Sequence, residues 1–166
     1  MKSFLKGITI IELIMIFLII GIVISITLPR FEVFNYVKLE GAIKEVVADI
    51  RFVQTVAIST HEDYAIEFDP VADTYRAYRV ADNTPLKDPF TGNDLEVDFA
   101  VDPQYKGVDV TNVDVEGTDI LRFNWQGVPL DANGNDITRP ARIGLGYLHN
   151  SRTIVISPST GVLSVE

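Results

Sequence analysis

The chain has 166 residues, 14 Lys and Arg against 23 Asp and Glu, a formal net charge of −9 and no cysteine. At this length one domain plus an anchor is expected. The acidic balance argues against binding to nucleic acid or anionic lipid, both of which need clustered Lys and Arg, and the missing thiols exclude cysteine chemistry and disulfide staples.

The first seven residues carry Lys2 and Lys6 and no acid, which places them on the cytoplasmic side under the positive-inside rule and the C-terminal part on the other side. Residues 13–28 form an apolar run interrupted only by Gly21, Ser25 and Thr27. As a straight helix, residues 8–28 would extend roughly 31 Å, matching a hydrocarbon core of about 30 Å. Glu12 stands inside that span, where an ionised side chain near the centre costs about 2.5–3.5 kcal/mol. No Lys or Arg lies in residues 8–28 to pair with it. A cut after Gly7 would expose a new amine on Ile8 and make Glu12 the fifth residue, so that a neighbouring copy shifted by about a turn would bring its amine level with this carboxylate. The alternative is a Glu near enough to the cytoplasmic face to reach the headgroups. A conventional secretory signal would need small residues after the apolar core, and Ile22, Val23 and Ile24 are bulky.

From Phe31 to about Thr60, Val37, Leu39, Ile43, Val46, Val47, Ile50, Val53, Val56 and Ala57 recur at helical spacing, with charges between them. The spacing predicts one helix continuing from the membrane segment to about Ser59. Pro29 lies inside it and removes one backbone hydrogen bond, and Gly21 lowers helix propensity, so the part between them is expected to melt most easily when subunits pack together.

After His61 the period changes to two. Alternating runs at 64–68 and 74–80 predict a hairpin, residues 81–94 a loop, and further strands are expected at 95–101, 108–115 and 120–125. Strands at 141–148, 153–157 and 162–165, with turns at 149–152 and 158–161, complete a meander. The expected fold class is α+β: a long N-terminal helix packed on a C-terminal antiparallel β-sheet domain. The expected boundaries are 1–7 for the leader, 8–30 for the membrane and assembly helix, 31–60 for the amphipathic helix and 61–166 for the β-rich head.

Residues able to do chemistry are sparse. His61 and His149 lie near Ser59 and Ser151, but no nucleophile elbow accompanies them and both read as turn residues. There is no phosphate-binding glycine loop. Asp131, Asn133, Asn135 and Asp136 alternate oxygen side chains around Gly134, a weak Ca²⁺ candidate, but the twelfth position, which an EF-hand fills with Glu, is Arg142. A hairpin tip held by its own Asx hydrogen bonds is the simpler account, and no cofactor or metal is expected. Arg122, Trp125, Phe31, Phe34 and Tyr36 read as packing or subunit-contact residues.

The stretch Lys6-Gly7-Ile8-Thr9-Ile10-Ile11-Glu12-Leu13, with its basic leader and apolar continuation, resembles the N-terminus of type IV prepilins and type II secretion pseudopilins, and Pro29 matches that family's usual proline. The resemblance implies cleavage between Gly7 and Ile8 by prepilin peptidase, methylation of the Ile8 amine, use of Glu12 to align the incoming subunit, and contact with an inner-membrane assembly platform. The head adds a weaker likeness: Gly127-Val128-Pro129 before the final strands and Thr160-Gly161 between the last two resemble the H-type pseudopilins and their pilus counterparts, the GspH/FimT-like group. Some pilus members of that group bind DNA through a basic C-terminal tail. Residues 162–166 contain no Lys or Arg, so nucleic acid is not an expected partner.

Three functions follow. The leading one is a structural assembly subunit in the bacterial inner membrane, with its head periplasmic, polymerised into a secretion pseudopilus or a pilus. The second is a filament-borne binding module for exoprotein or DNA. The third, for which no residue cluster speaks, is a membrane-anchored periplasmic enzyme.

Overall fold

The computed structural model describes residues 8–27 and 30–166, with side chains described for 8–25 and 36–166. The chain divides into two compact units, Met1–Asn35 and Tyr36–Glu166. In the first, helix α1 runs from Ile10 to Thr27, and α2 begins at Arg30 and continues to Thr60. The expected leader, the cut after Gly7 and the opening at Pro29 lie outside the described residues. In the isolated chain α1 is helical through Ser25, whose hydroxyl donates back to the Gly21 carbonyl. The 18 residues of α1 cover about 27 Å. Among the described residues no helix is long and apolar enough to cross a membrane.

In the second unit α2 presents one stripe, Leu39, Ala42, Ile43, Val46, Ile50, Val53 and Ala57, that is wholly buried. These positions recur every three or four residues, which keeps them on one side of a 3.6-residue period. Val37, expected on the same stripe, is 60% exposed. The helix stops where His61 takes a left-handed backbone (φ 59°), the conformation that ends a helix by turning its last carbonyls aside.

Nine strands follow: β1 (Tyr64–Asp69), β2 (Thr74–Arg79), β3 (Glu96–Asp98), β4 (Asp109–Asp114), β5 (Ile120–Phe123), β6 (Pro129–Leu130), β7 (Ala141–Tyr147), β8 (Asn150–Ile156) and β9 (Leu163–Val165). All pairings are antiparallel. They form two sheets rather than the single sheet expected, with orders β3-β2-β1-β5-β6 and β4-β7-β8-β9. Period-two alternation is the same whether neighbouring strands join one sheet or two, which is why the division could not be seen in the pattern. The sheets are linked at the tip of the β1–β2 hairpin, where Asp73 Oδ1 accepts a hydrogen bond of 2.8 Å from the Val110 amide of β4. Both sheets cover the same stripe of α2: Ile66, Phe68, Tyr75, Leu121 and Phe123 from one, Ile143, Leu145, Ile154 and Ile156 from the other, in one continuous core.

Smaller corrections have local causes. The strand expected to reach Trp125 ends at Phe123, because Asn124 Oδ1 accepts from the amides of Gln126 and Val128 and folds residues 124–127 into a turn. The turn also creates the two-residue strand β6, which was not expected. The last hairpin is tighter than expected: Tyr147 pairs with Asn150, so β8 begins at Asn150, and Leu148 absorbs the reversal at φ 55°.

Candidate assembly site and head surface

Glu12 lies in the first turn of α1. Thr9 caps the helix, its carbonyl accepting from the Glu12 and Leu13 amides at 3.1 Å and its hydroxyl from the Glu12 amide at 3.3 Å. Thr9-x-x-Glu12 has the spacing of a capping box, a signal legible in the sequence and missed there. A carboxylate is favoured at this end, where unpaired amides give the helix a partial positive charge. The Glu12 side chain is exposed and has no hydrogen-bond or ion-pair partner among the described residues. Around it Ile8, Ile10, Ile11 and every described position of α1 are exposed as well, so the helix is apolar on all sides and no described residue covers it. Gly7 and Pro29 lie outside the described residues.

In the second unit the two phrases that carry the head's likeness meet on one side chain of α2. Gln54 Nε2 donates to the Gly127 carbonyl at 2.7 Å. Gly127 (φ 79°) and Gly161 (φ 64°) both take left-handed backbones, and a Cβ built on Gly161 would lie 2.4 Å from Gln54 Nε2 and 3.2 Å from the Gly127 carbonyl oxygen. Two turns far apart in sequence thus close over the same point of the helix, where a side chain larger than hydrogen would not fit. At the near end of this unit Arg152 holds the helix to β8, pairing with Glu40 at 3.1 Å and donating to the Tyr36 hydroxyl at 3.2 Å.

A cleft of about 710 Å³ opens between α2 and residues 88–105. Glu45, Asp49, Asp88, Asp94, Glu96 and Asp102 line it, with Lys44 as its lining cation; Phe90, Leu95, Val97 and Tyr105 supply apolar walls. Its floor depends on Gly41, since a Cβ there would lie 2.9 Å from the Tyr105 ring. Burial raises the carboxyls of Glu45 and Asp49 above their ordinary values, opposed by hydrogen bonds from Tyr105 and Tyr75 respectively. The buried Tyr75 hydroxyl donates to Asp49 Oδ2 at 2.6 Å. The Tyr105 phenol is pushed up to about 12, by desolvation first and then by Glu45.

The remaining sequence candidates are placed as follows. In the 131–136 turn Asp131 Oδ1 accepts from the Asn133 and Asn135 amides, both at 2.8 Å, and Asn135 Nδ2 reaches Asp131 Oδ2 at 3.1 Å. These bonds hold the Asp131 carboxyl below its ordinary value and use the oxygens a cation would need. Asp136 is bridged to Leu130 through the backbone instead of facing Asp131 across a ligand shell. Among the described residues no group of three or more acidic or histidine side chains could hold a metal ion. His61 stacks on the half-exposed Trp125, ring centroids 6.1 Å apart, and His149 sits in the β7–β8 turn; neither has a serine and a carboxylate arranged as a triad. Arg122 bonds Asp63 and the Ala132 carbonyl, a packing role.

No family model matches the sequence, and no curated protein matches it. Solved structures do. The type IV minor pilin FimU of Pseudomonas aeruginosa aligns with a TM-score of 0.54 at 14% identity, covering 77% of this chain and 87% of that one. The minor pseudopilin EpsH of the type 2 secretion system of Vibrio cholerae aligns with a TM-score of 0.55 at 7% identity, covering 78% and 96%. Likeness at such identities is likeness of fold: an N-terminal helix packed on antiparallel sheets, the type IV pilin-like fold.

Proposed function

We propose that this chain is a structural subunit of a bacterial filament, a minor pseudopilin or pilin of the GspH/FimT-like kind, and not an enzyme. The observation that carries the proposal is α1: a helix exposed at every described position, with one carboxylate in its first turn that has no partner among the described residues, joined to a head of type IV pilin-like fold. Such a helix must be covered by lipid before assembly and by other copies after it, because exposed apolar surface of this extent costs about 25 cal/mol per Å² in water. In this reading residues 1–7 are a leader removed by prepilin peptidase between Gly7 and Ile8, and the Ile8 amine is methylated. Residues 8–30 anchor the chain in the inner membrane with the head periplasmic, 31–60 are the amphipathic helix that continues into the globular domain, and 61–166 are its β-rich part. During assembly on an inner-membrane platform Glu12 pairs with the amine of a neighbouring subunit, since an ionised carboxylate in an apolar bundle needs an opposite charge.

Replacing Glu12 tests this. Glu12→Leu is expected to leave the head folded and the protein in the membrane while abolishing its recovery in sheared or purified filaments. Full incorporation of Glu12→Leu would overturn the assembly role. Gly7→Leu is expected to leave the chain at precursor size, and processing at normal size would overturn the leader.

A further inference from the structure

Phe90 is 95% exposed, and it is held there. It occupies the tip of a short hairpin at residues 86–95, closed by the Leu95 amide on the Leu86 carbonyl at 2.7 Å, by Asp88 to Asn93 at 2.9 Å, and by a Lys87–Asp94 ion pair at 2.6 Å. The Asp88 carboxylate accepts from the Phe90 and Thr91 amides and from the Thr91 hydroxyl, fixing the tip from within. Val71, at the β1–β2 tip, is equally exposed but lies away from this cleft. Phe90 instead stands at the mouth of the 710 Å³ cleft, whose lining also includes Leu95, Val97 and Tyr105. An aromatic ring displayed by a pre-ordered loop loses little freedom on being buried by a partner, which is the property of interface anchors.

The charge around the ring selects the partner. Six carboxylates line the same cleft against Lys44, of which Asp94 is paired with Lys87; Glu96 stands opposite Arg76 across β2–β3 but outside ion-pair distance, Arg76 being paired with Glu67. Elsewhere on the head Arg76, Arg79, Arg139, Arg142 and Arg152 are already paired with acids, while Arg51 and Lys106 are in no ion pair among the described residues but stand apart from each other on the surface of an acidic chain. A second copy of this acidic chain would bring like charge, so it is disfavoured here. We propose that the Phe90 hairpin and the cleft beside it form a docking surface for a different protein, one that offers an apolar pocket rimmed by Lys and Arg. This does not depend on the filament reading, because the surface is complete in the head.

The test is site-specific photo-crosslinking of the full-length protein in its own host, with a benzophenone analogue of phenylalanine in place of Phe90 and, as a control, of Val71. The expected result is one discrete adduct from position 90 and none from 71, the crosslinked peptide of the partner carrying Lys or Arg beside an apolar site. Adduct yield should fall at least fivefold on Glu96→Lys, whose folding is checked by its thermal unfolding because the new Lys faces Arg76, and should fall again at raised salt. With the partner purified, Phe90→Ser should raise its Kd at least tenfold. Any of four results overturns the proposal: no discrete adduct at position 90, the same adduct from position 71, an adduct with a second copy of this chain, or an adduct insensitive to Glu96→Lys in a normally folded protein.

Discussion

Gly161→Ala should be among the most damaging single-methyl changes in the head. Two terms add. Gly161 has φ 64°, and an L-residue held there loses about 1–2 kcal/mol against glycine. The new methyl would also lie 2.4 Å from Gln54 Nε2, so the amide must move and its 2.7 Å bond to the Gly127 carbonyl is lost, at about 0.5–1.5 kcal/mol. The Gly127 carbonyl, 3.2 Å away, is backbone and yields less readily than a side chain. The sum is about 1.5–3.5 kcal/mol, or roughly 6–14 °C in Tm at about 4 °C per kcal/mol for a domain of this size. The assay is thermal and urea unfolding of the full chain in detergent micelles, followed by near-UV circular dichroism and Trp125 fluorescence. Gly92→Ala is the control: φ there is 73° and nothing lies within 4 Å of the built Cβ, so it should show the backbone term alone. Gln54→Ala removes the clashing amide, so the double variant should lose clearly less than the two single losses added together. If Gly161→Ala costs no more than Gly92→Ala, or if the pair is strictly additive, the close approach at Gln54 does not constrain the fold.

Three further outcomes are expected. Thr9→Ala should speed hydrogen exchange of the Glu12 and Leu13 amides about fivefold, from a cap worth about 1 kcal/mol, while Thr9→Ser should not; equal protection in all three forms would refute the capping role. Glu45 and Asp49 bind protons more tightly folded than unfolded, so their ionisation weakens the head as pH rises through their raised folded values. Tm should therefore climb as pH falls from neutrality toward the carboxylate range, and the climb should shrink in Glu45→Gln/Asp49→Asn; below that range Asp88, Glu116 and Asp131, whose carboxyls are lowered by hydrogen bonds, reverse the trend. Calorimetric titration with Ca²⁺ should give no binding heat from the 131–136 turn, because the Asp131 oxygens already serve Asn133 and Asn135; saturable heat abolished by Asp131→Ala would contradict this.

The apolar run, the amphipathic stripe of α2 and the two hairpins β1–β2 and β7–β8 were legible from residue order, because each rests on a period that the backbone itself imposes, 3.6 along a helix and 2 along a strand. Leu39, Ile43, Val46, Ile50 and Val53 could be placed in the core for that reason. Glu12 could be singled out because a charge among isoleucines is anomalous wherever the helix sits, and Thr9 beside it shows that a local capping signal can go unread next to a louder one. Tertiary structure alone decided that β1 lies between β2 and β5, that β4 pairs with β7 across 26 intervening residues of chain counted from Asp114 to Ala141, and that the strands part into two sheets over one helix. It also decided that Gly127 and Gly161 meet at Gln54 and that the Phe90 hairpin stands beside acids from α2. The physical reason is that closing a longer loop costs only slightly more entropy, so chain order barely restricts which distant strands pair; burial and fit among the whole set of side chains make that choice.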